Sequence, residues 1–192
     1  MQITFSLPHV FYPGSPPVEN THARRILAEC QGRLTQPYRT ARPAHALYHV
    51  GVRCVVFDLP TAFVPSASIE ENTHALKCLL DCLVDFNRLF LSISGFCPRL
   101  YDSGVYYRRT EVWDSIPALY QRGYGDCKSL TAAYVAQAIR AGRDCAPVHR
   151  WISRPDGSKA VDYHILVQES DGSFEDPSKV LGMGHDENGP VM

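Results

Sequence analysis

The sequence predicts an α+β fold, and three observations carry that prediction. Helical segments come first and strand segments follow as a meander, whereas a parallel βαβ sheet would interleave them. The strands, "APVHRWI" (146–152) and "VDYHILVQ" (161–168), are separated by the turn "RPDGS", and a second turn, "SDGS" (170–173), leads into "FEDP". The 192 residues, 45% hydrophobic and 20% charged, suit one good core, or one core plus a smaller appendage.

Each element has its own signal. Residues 1–20 hold four of the fourteen prolines and read as an irregular or edge-strand lead-in. A short polar helix is expected near 20–30. "HALYHVGVRCVVFDL" (45–59) is rich in Val, Tyr and Phe with partial alternation, and reads as strand. "PSAS" (65–68) breaks the chain, and Ser68 with Glu71 forms a capping-box pattern. Leu76, Leu79, Leu80, Leu83, Phe90 and Leu91 then recur on one face of a largely buried helix expected from about 70 to 93. Val84, Phe86 and Leu89 widen that stripe, Asn87 interrupts it, and Gly95 and Pro98 end it. "YDSGVYYRR" (101–109) is a turn with a short extended piece, and "VWDSIPALYQRG" (112–123) a short helix, with Asp114 or Ser115 near its start and Gly123 at its end. After Cys127, Ala132, Ala133, Ala136 and Ala138 favour helix, Arg140 suits the last turn and Gly142 the C′ position. Residues 1–66 thus read as an N-terminal extension, partly strand, to a core over 67–192.

Charge and composition exclude several function classes. Nineteen basic residues face twenty acidic ones without a long basic run, which disfavours nucleic-acid binding; Arg24-Arg25 and Arg108-Arg109 read as solvated faces. No apolar stretch reaches the roughly 18 residues of a membrane helix. With no secretory pattern in "MQITFSLPHVFYPGSPP", the seven scattered cysteines are expected as reduced thiols in a cytoplasmic setting. His74, Cys78 and Cys82 fall four apart, but the outer two would lie about 12 Å apart along a helix, too far to share one ion. The two cysteines read instead as buried small side chains, and no metal or organic cofactor is implied.

The chemistry concentrates at "YGDCKSL" (124–130). A helix N-terminus favours a thiolate, two glycines allow a sharp turn, and Asp126 can cap by accepting from the amide of Lys128 or Ser129. The Cys127 amide is then free for a substrate oxyanion, although the Asp126 carboxylate opposes thiolate formation. His164 lies mid-strand and supplies a base; Asp176, in "EDPS" just past a hairpin turn, supplies a carboxylate to orient it. A two-residue turn at Asp171-Gly172 would put Asp176 opposite Val167, on the wrong face, so a bulge or longer loop is required. Glu175 and Asp162 are the reserve carboxylates, and His149 is the competing base. Gln121, six residues before Cys127, is the oxyanion candidate, with Tyr124 and Trp113 as aromatic alternatives or groove walls.

Cysteine at a helix start, histidine on a strand and "DP" after the next strand resemble the transglutaminase-like superfamily of papain-fold cysteine enzymes. Cys127, His164 and Asp176 match its three catalytic positions, and the Gln121 spacing is similar to the glutamine donor of papain-like enzymes. The resemblance covers roughly residues 70–182. "YDSGVYYRR", "WDSIPALYQRGYGDCKSL" and "EDPSKVLGM" look more narrowly like small transglutaminase-like proteins encoded by bacteriophages. The resemblance implies a papain-like core with the nucleophile helix packed on an antiparallel sheet. It further implies acyl transfer through a thioester, as a peptidase, amidase or crosslinker, on a protein or peptide substrate. Other phage structural proteins are the implied partners, in host cytoplasm or virion. The alternative from a different class is a non-catalytic virion or assembly protein that keeps the fold as a binding module.

Overall fold

A computed structural model describes residues 1–36, 47–153 and 161–184. The turn expected within 154–158 lies outside the described residues. Mixed α/β architecture is observed, with five α-helices and three sheets among the described residues, compatible with the α+β expectation.

The first sheet gathers distant parts of the chain. β1 (Gln2–Ser6) turns Ile3 and Phe5 inward and pairs antiparallel with β3 (Cys54–Asp58), whose Val55 and Phe57 face the same core. β2 (Leu47–Gly51) forms a hairpin with β3 through Val52 and Arg53, the latter at φ 58°. The stretch expected as one strand is therefore two. On its other side β1 pairs in parallel with β5 (Trp113–Asp114), where Trp113 stacks on Phe5 at 5.3 Å. β1 is thus internal to the sheet rather than an edge lead-in, because its second partner arrives more than a hundred residues later. The 1–66 segment is correspondingly no appendage. It shares this sheet, and one continuous hydrophobic cluster, with the rest of the chain.

α1 (Pro17–Leu34) is longer than the short polar helix expected, and buries Ala23, Ile26, Leu27, Cys30 and Leu34 along one stripe. α2 (Ile69–Ile93) begins at the anticipated capping box: Glu71 N–H donates to Ser68 Oγ at 3.1 Å and Ser68 N–H to the Glu71 carboxylate at 2.7 Å. Its polar interruption has a purpose, since buried Asn87 Oδ1 accepts from the Ile116 amide at 2.7 Å. That bond ties α2 to the start of α3 (Ile116–Arg122). β4 (Tyr106–Tyr107) and β6 (Tyr124–Gly125) make a two-residue parallel pair on either side of α3 in the chain.

α4 (Cys127–Arg140) packs against α2 and lies over the third sheet, β7 (Cys145–Ser153), β8 (Val161–Glu169) and β9 (Phe174–Glu175), which is antiparallel throughout. α5 (Pro177–Val180) is a single turn after β9. Among the described residues, no helix is long and apolar enough to cross a membrane.

Candidate active site

The chain before Cys127 is built to start a helix there. Gly123 ends α3 in the left-handed region at φ 80°, which costs a residue without Cβ little. Gly125 is needed for a different reason. A Cβ there would lie 2.5 Å from Leu119 Cδ1 and 3.4 Å from Ser129 Cβ. Asp126 then caps α4, its carboxylate accepting from the Lys128 amide at 3.2 Å. The same carboxylate forms a buried ion pair with the Lys128 ammonium, which also donates to the Thr110 carbonyl at 2.8 Å. The Cys127 amide meets no acceptor among the described residues.

Cys127 is only 8% exposed. Burial, and after it the Asp126 carboxylate, push its thiol up to about 12, while Lys128 and the Ile165 backbone N–H pull the other way. The resting group is therefore a thiol rather than a preformed thiolate.

His164 and Asp176 are in direct contact, Nε2 to Oδ2 at 2.9 Å. The β8–β9 hairpin makes this contact possible. Val167 faces Glu175, Gln168 faces Phe174, and Glu169 N–H reaches the Ser173 carbonyl at 3.0 Å, so the loop is the three residues 170–172 with Gly172 at φ 85°. One loop residue more than the shortest turn moves Asp176 from the level of Val167 to that of Leu166, and onto the face that carries His164. Asp176 also caps α5, accepting from the Lys179 amide at 3.2 Å. Burial pushes its carboxyl up, but the His164 hydrogen bond and charge outweigh that and hold it below its ordinary value. Facing a carboxylate, Nε2 carries a proton, which leaves Nδ1 for another partner.

The thiol sits beside this pair. The Ile165 N–H that points at the sulfur belongs to the residue after His164, and α4 is held to β8 by Thr131 Oγ1 donating to the Ile165 carbonyl at 3.3 Å. Among the described residues no hydrogen bond joins Cys127 to His164, so the two are neighbours across the α4–β8 contact without being bonded.

No family model, no curated protein and no solved structure matches this chain. The chemistry of the site is therefore read from its own arrangement.

The other sequence candidates are placed elsewhere or otherwise engaged. Glu175 accepts from the Tyr101 hydroxyl at 2.5 Å, and Asp162 pairs with Arg109 at 3.6 Å. His149 lies opposite Ile165 on β7, its pKa lowered first by burial and then by Lys77 of α2. Gln121 is exposed in the last turn of α3, with no hydrogen bond to the site among the described residues. Trp113 is core, and Tyr124 is a rim residue under Arg108 and Arg122. Cys78 and Cys82 are buried, with thiols pushed up by desolvation, and no grouping that could hold a metal ion occurs among the described residues.

Two residues of the site went unread in the sequence. A lysine one position into an alanine-rich helix gives no signal of burial, yet Lys128 is the buried counter-charge of Asp126. Tyr163 packs edge-on against Trp151, whose indole N–H donates to Thr73. Burial, and then the charge on Cys127, push the Tyr163 hydroxyl above its ordinary range, so it stays protonated near the sulfur. A thiol at a helix N-terminus, an imidazole oriented by a carboxylate and a free amide make an arrangement suited to acyl transfer.

Proposed function

We propose that this protein is a cysteine acyl-transfer enzyme of the transglutaminase-like, papain-fold kind, with Cys127 as nucleophile, His164 as base and Asp176 as its orienting partner. The 2.9 Å His164–Asp176 hydrogen bond, formed through a hairpin register that the shortest turn would forbid, carries the reading. His164 Nδ1 takes the Cys127 proton, and the sulfur forms a bond to an amide carbonyl carbon. The oxyanion is met by the Cys127 amide. The C–N bond then breaks as the imidazolium protonates the leaving amine, giving a thioester. Water or a lysine amine resolves it, the first by hydrolysis and the second by crosslinking. Long or absent catalytic hydrogen bonds are common before substrate binds, so the unbonded Cys127–His164 pair is compatible with this role. The substrate is a protein or peptide, and other phage structural proteins suit the resemblance.

A second reading, a virion or assembly protein using the fold as a binding module, is favoured by one observation: Cys127 is buried and its thiol is pushed up to about 12. Brief substoichiometric iodoacetamide treatment with mass mapping over the seven cysteines separates the two. The enzyme reading expects Cys127 to be labelled first. Preferential labelling of Cys30, Cys97 or Cys145 would overturn it.

A further inference from the structure

Exposed arginines lie over aromatic rings on both sides of the candidate site. On the cysteine side, the Arg108 amide donates to the Gly125 carbonyl at 2.9 Å, two residues before Cys127. Its guanidinium lies 4.7 Å from the centre of the Tyr124 ring, with Tyr106 stacked 5.8 Å beyond. On the histidine side, Arg150 is directly opposite His164 in the β7–β8 ladder, and directly opposed residues share a face. Arg150 lies 4.9 Å from the Phe174 ring, itself half exposed and two residues before Asp176. Among the described residues neither arginine has a carboxylate partner. The rim acids are mostly engaged: Asp162 with Arg109, Asp114 with Arg122 and Glu175 with Tyr101. Glu111 is not so engaged.

A guanidinium held flat on a ring keeps its edge N–H groups free for a carboxylate and loses little entropy on using them. We infer that the Cys127 cleft takes a peptide segment carrying acidic side chains, held by Arg108 on the cysteine side and Arg150 on the histidine side. This inference rests on the catalytic reading above and adds its substrate class. The stacked rings supply apolar contact for the peptide backbone, the Arg and aromatic composition found at the centres of binding surfaces.

Two chloroacetylated peptides test it on the full chain: chloroacetyl-Gly-Glu-Glu amide and chloroacetyl-Gly-Lys-Lys amide. Each alkylates a thiol by forming an S–C bond as chloride leaves. Cys127 labelling by the glutamate peptide should exceed that by the lysine peptide at low salt, with neutral iodoacetamide as reference. Exposed ion pairs predict a loss of about two- to fivefold in that ratio for each of Arg108→Gln and Arg150→Gln. The preference should fade as salt rises. Equal labelling by both peptides, with His164-dependent iodoacetamide labelling intact, would sink the acidic-substrate inference alone. Loss of iodoacetamide selectivity for Cys127 as well would overturn the catalytic reading and this inference with it.

Discussion

The sharpest test of the site is the pH profile of Cys127 alkylation in the native chain, His164→Ala and Asp176→Asn. A thiol at about 12 is, at pH 7.5, ionised in about one molecule in 30,000, the difference being about 4.5 decades. An exposed cysteine near 8.5 is about one-tenth ionised at the same pH. Unaided, Cys127 should therefore react roughly 3,000-fold more slowly than an exposed thiol. If His164 accepts its proton, the native chain should far exceed that floor and His164→Ala should fall to it. Asp176→Asn removes a hydrogen bond to a charged group, worth about 1.5–3 kcal/mol, so the rate should drop about 10- to 150-fold. Because the Asp176 carboxyl is held below its ordinary value, it stays ionised through pH 5–9. Its replacement should lower the whole profile without moving an acid limb. Glu175→Gln and Asp162→Asn, whose partners are Tyr101 and Arg109, should change little. The measurement is iodoacetamide labelling followed by peptide mass spectrometry, with half-buried Cys97 as the internal reference. A native rate already at the unaided floor, unchanged in His164→Ala, would refute the role of His164.

Three further outcomes are expected. Lys128→Met should cost about 3–5 kcal/mol by leaving the buried Asp126 carboxylate unpaired, and Asp126→Asn in the same chain should restore most of it in denaturant unfolding. Burial pushes the His9 imidazole from 6.5 down to about 4, against a smaller upward pull from the Phe86 backbone. The unfolded chain then binds a proton that the folded one refuses, so stability should fall by up to about 3 kcal/mol as pH drops from 6.5 to 4, and His9→Leu should flatten thermal melts across that window. Ser68→Ala breaks the capping box of α2 and should cost about 1 kcal/mol, seen as a fall in Tm of about 2–4 °C.

Local signals were the legible ones. The Ser68 capping box, the leucine stripe of α2 and the Gly-x-Gly-Asp lead into Cys127 all act over a few residues, and the structure carries each of them. Long-range pairing was not legible. Nothing around residues 1–6 announces a parallel partner at Trp113–Asp114, and "GVRC" contains none of the Asn-Gly or Asp-Gly pairs that mark a hairpin, so β2 and β3 read as one strand. The Cys127, His164 and Asp176 positions could be picked out one by one. The contact between the last two depended on a single loop residue, which sequence could state only as a condition. Lys128 was invisible because burial of a lysine is decided by its partner's location, not by its own neighbours.

The internal place of β1 also sets an order of events during synthesis. Its antiparallel partner leaves the ribosome about fifty residues later, but Trp113–Asp114 only after a further sixty or so. At 5–20 residues per second, one edge of β1 waits about 5–20 s for its second neighbour. Phe5 lacks the Trp113 ring for the same interval, leaving an unpaired strand with an apolar face in the nascent chain. The nucleophile helix inherits that delay, because the Asp114 amide donates to Ser129 Oγ at 2.9 Å and so ties the late strand to the turn after Cys127. The reactive thiol is thus seated late in translation, when the first strand and the last sheet can close around it together.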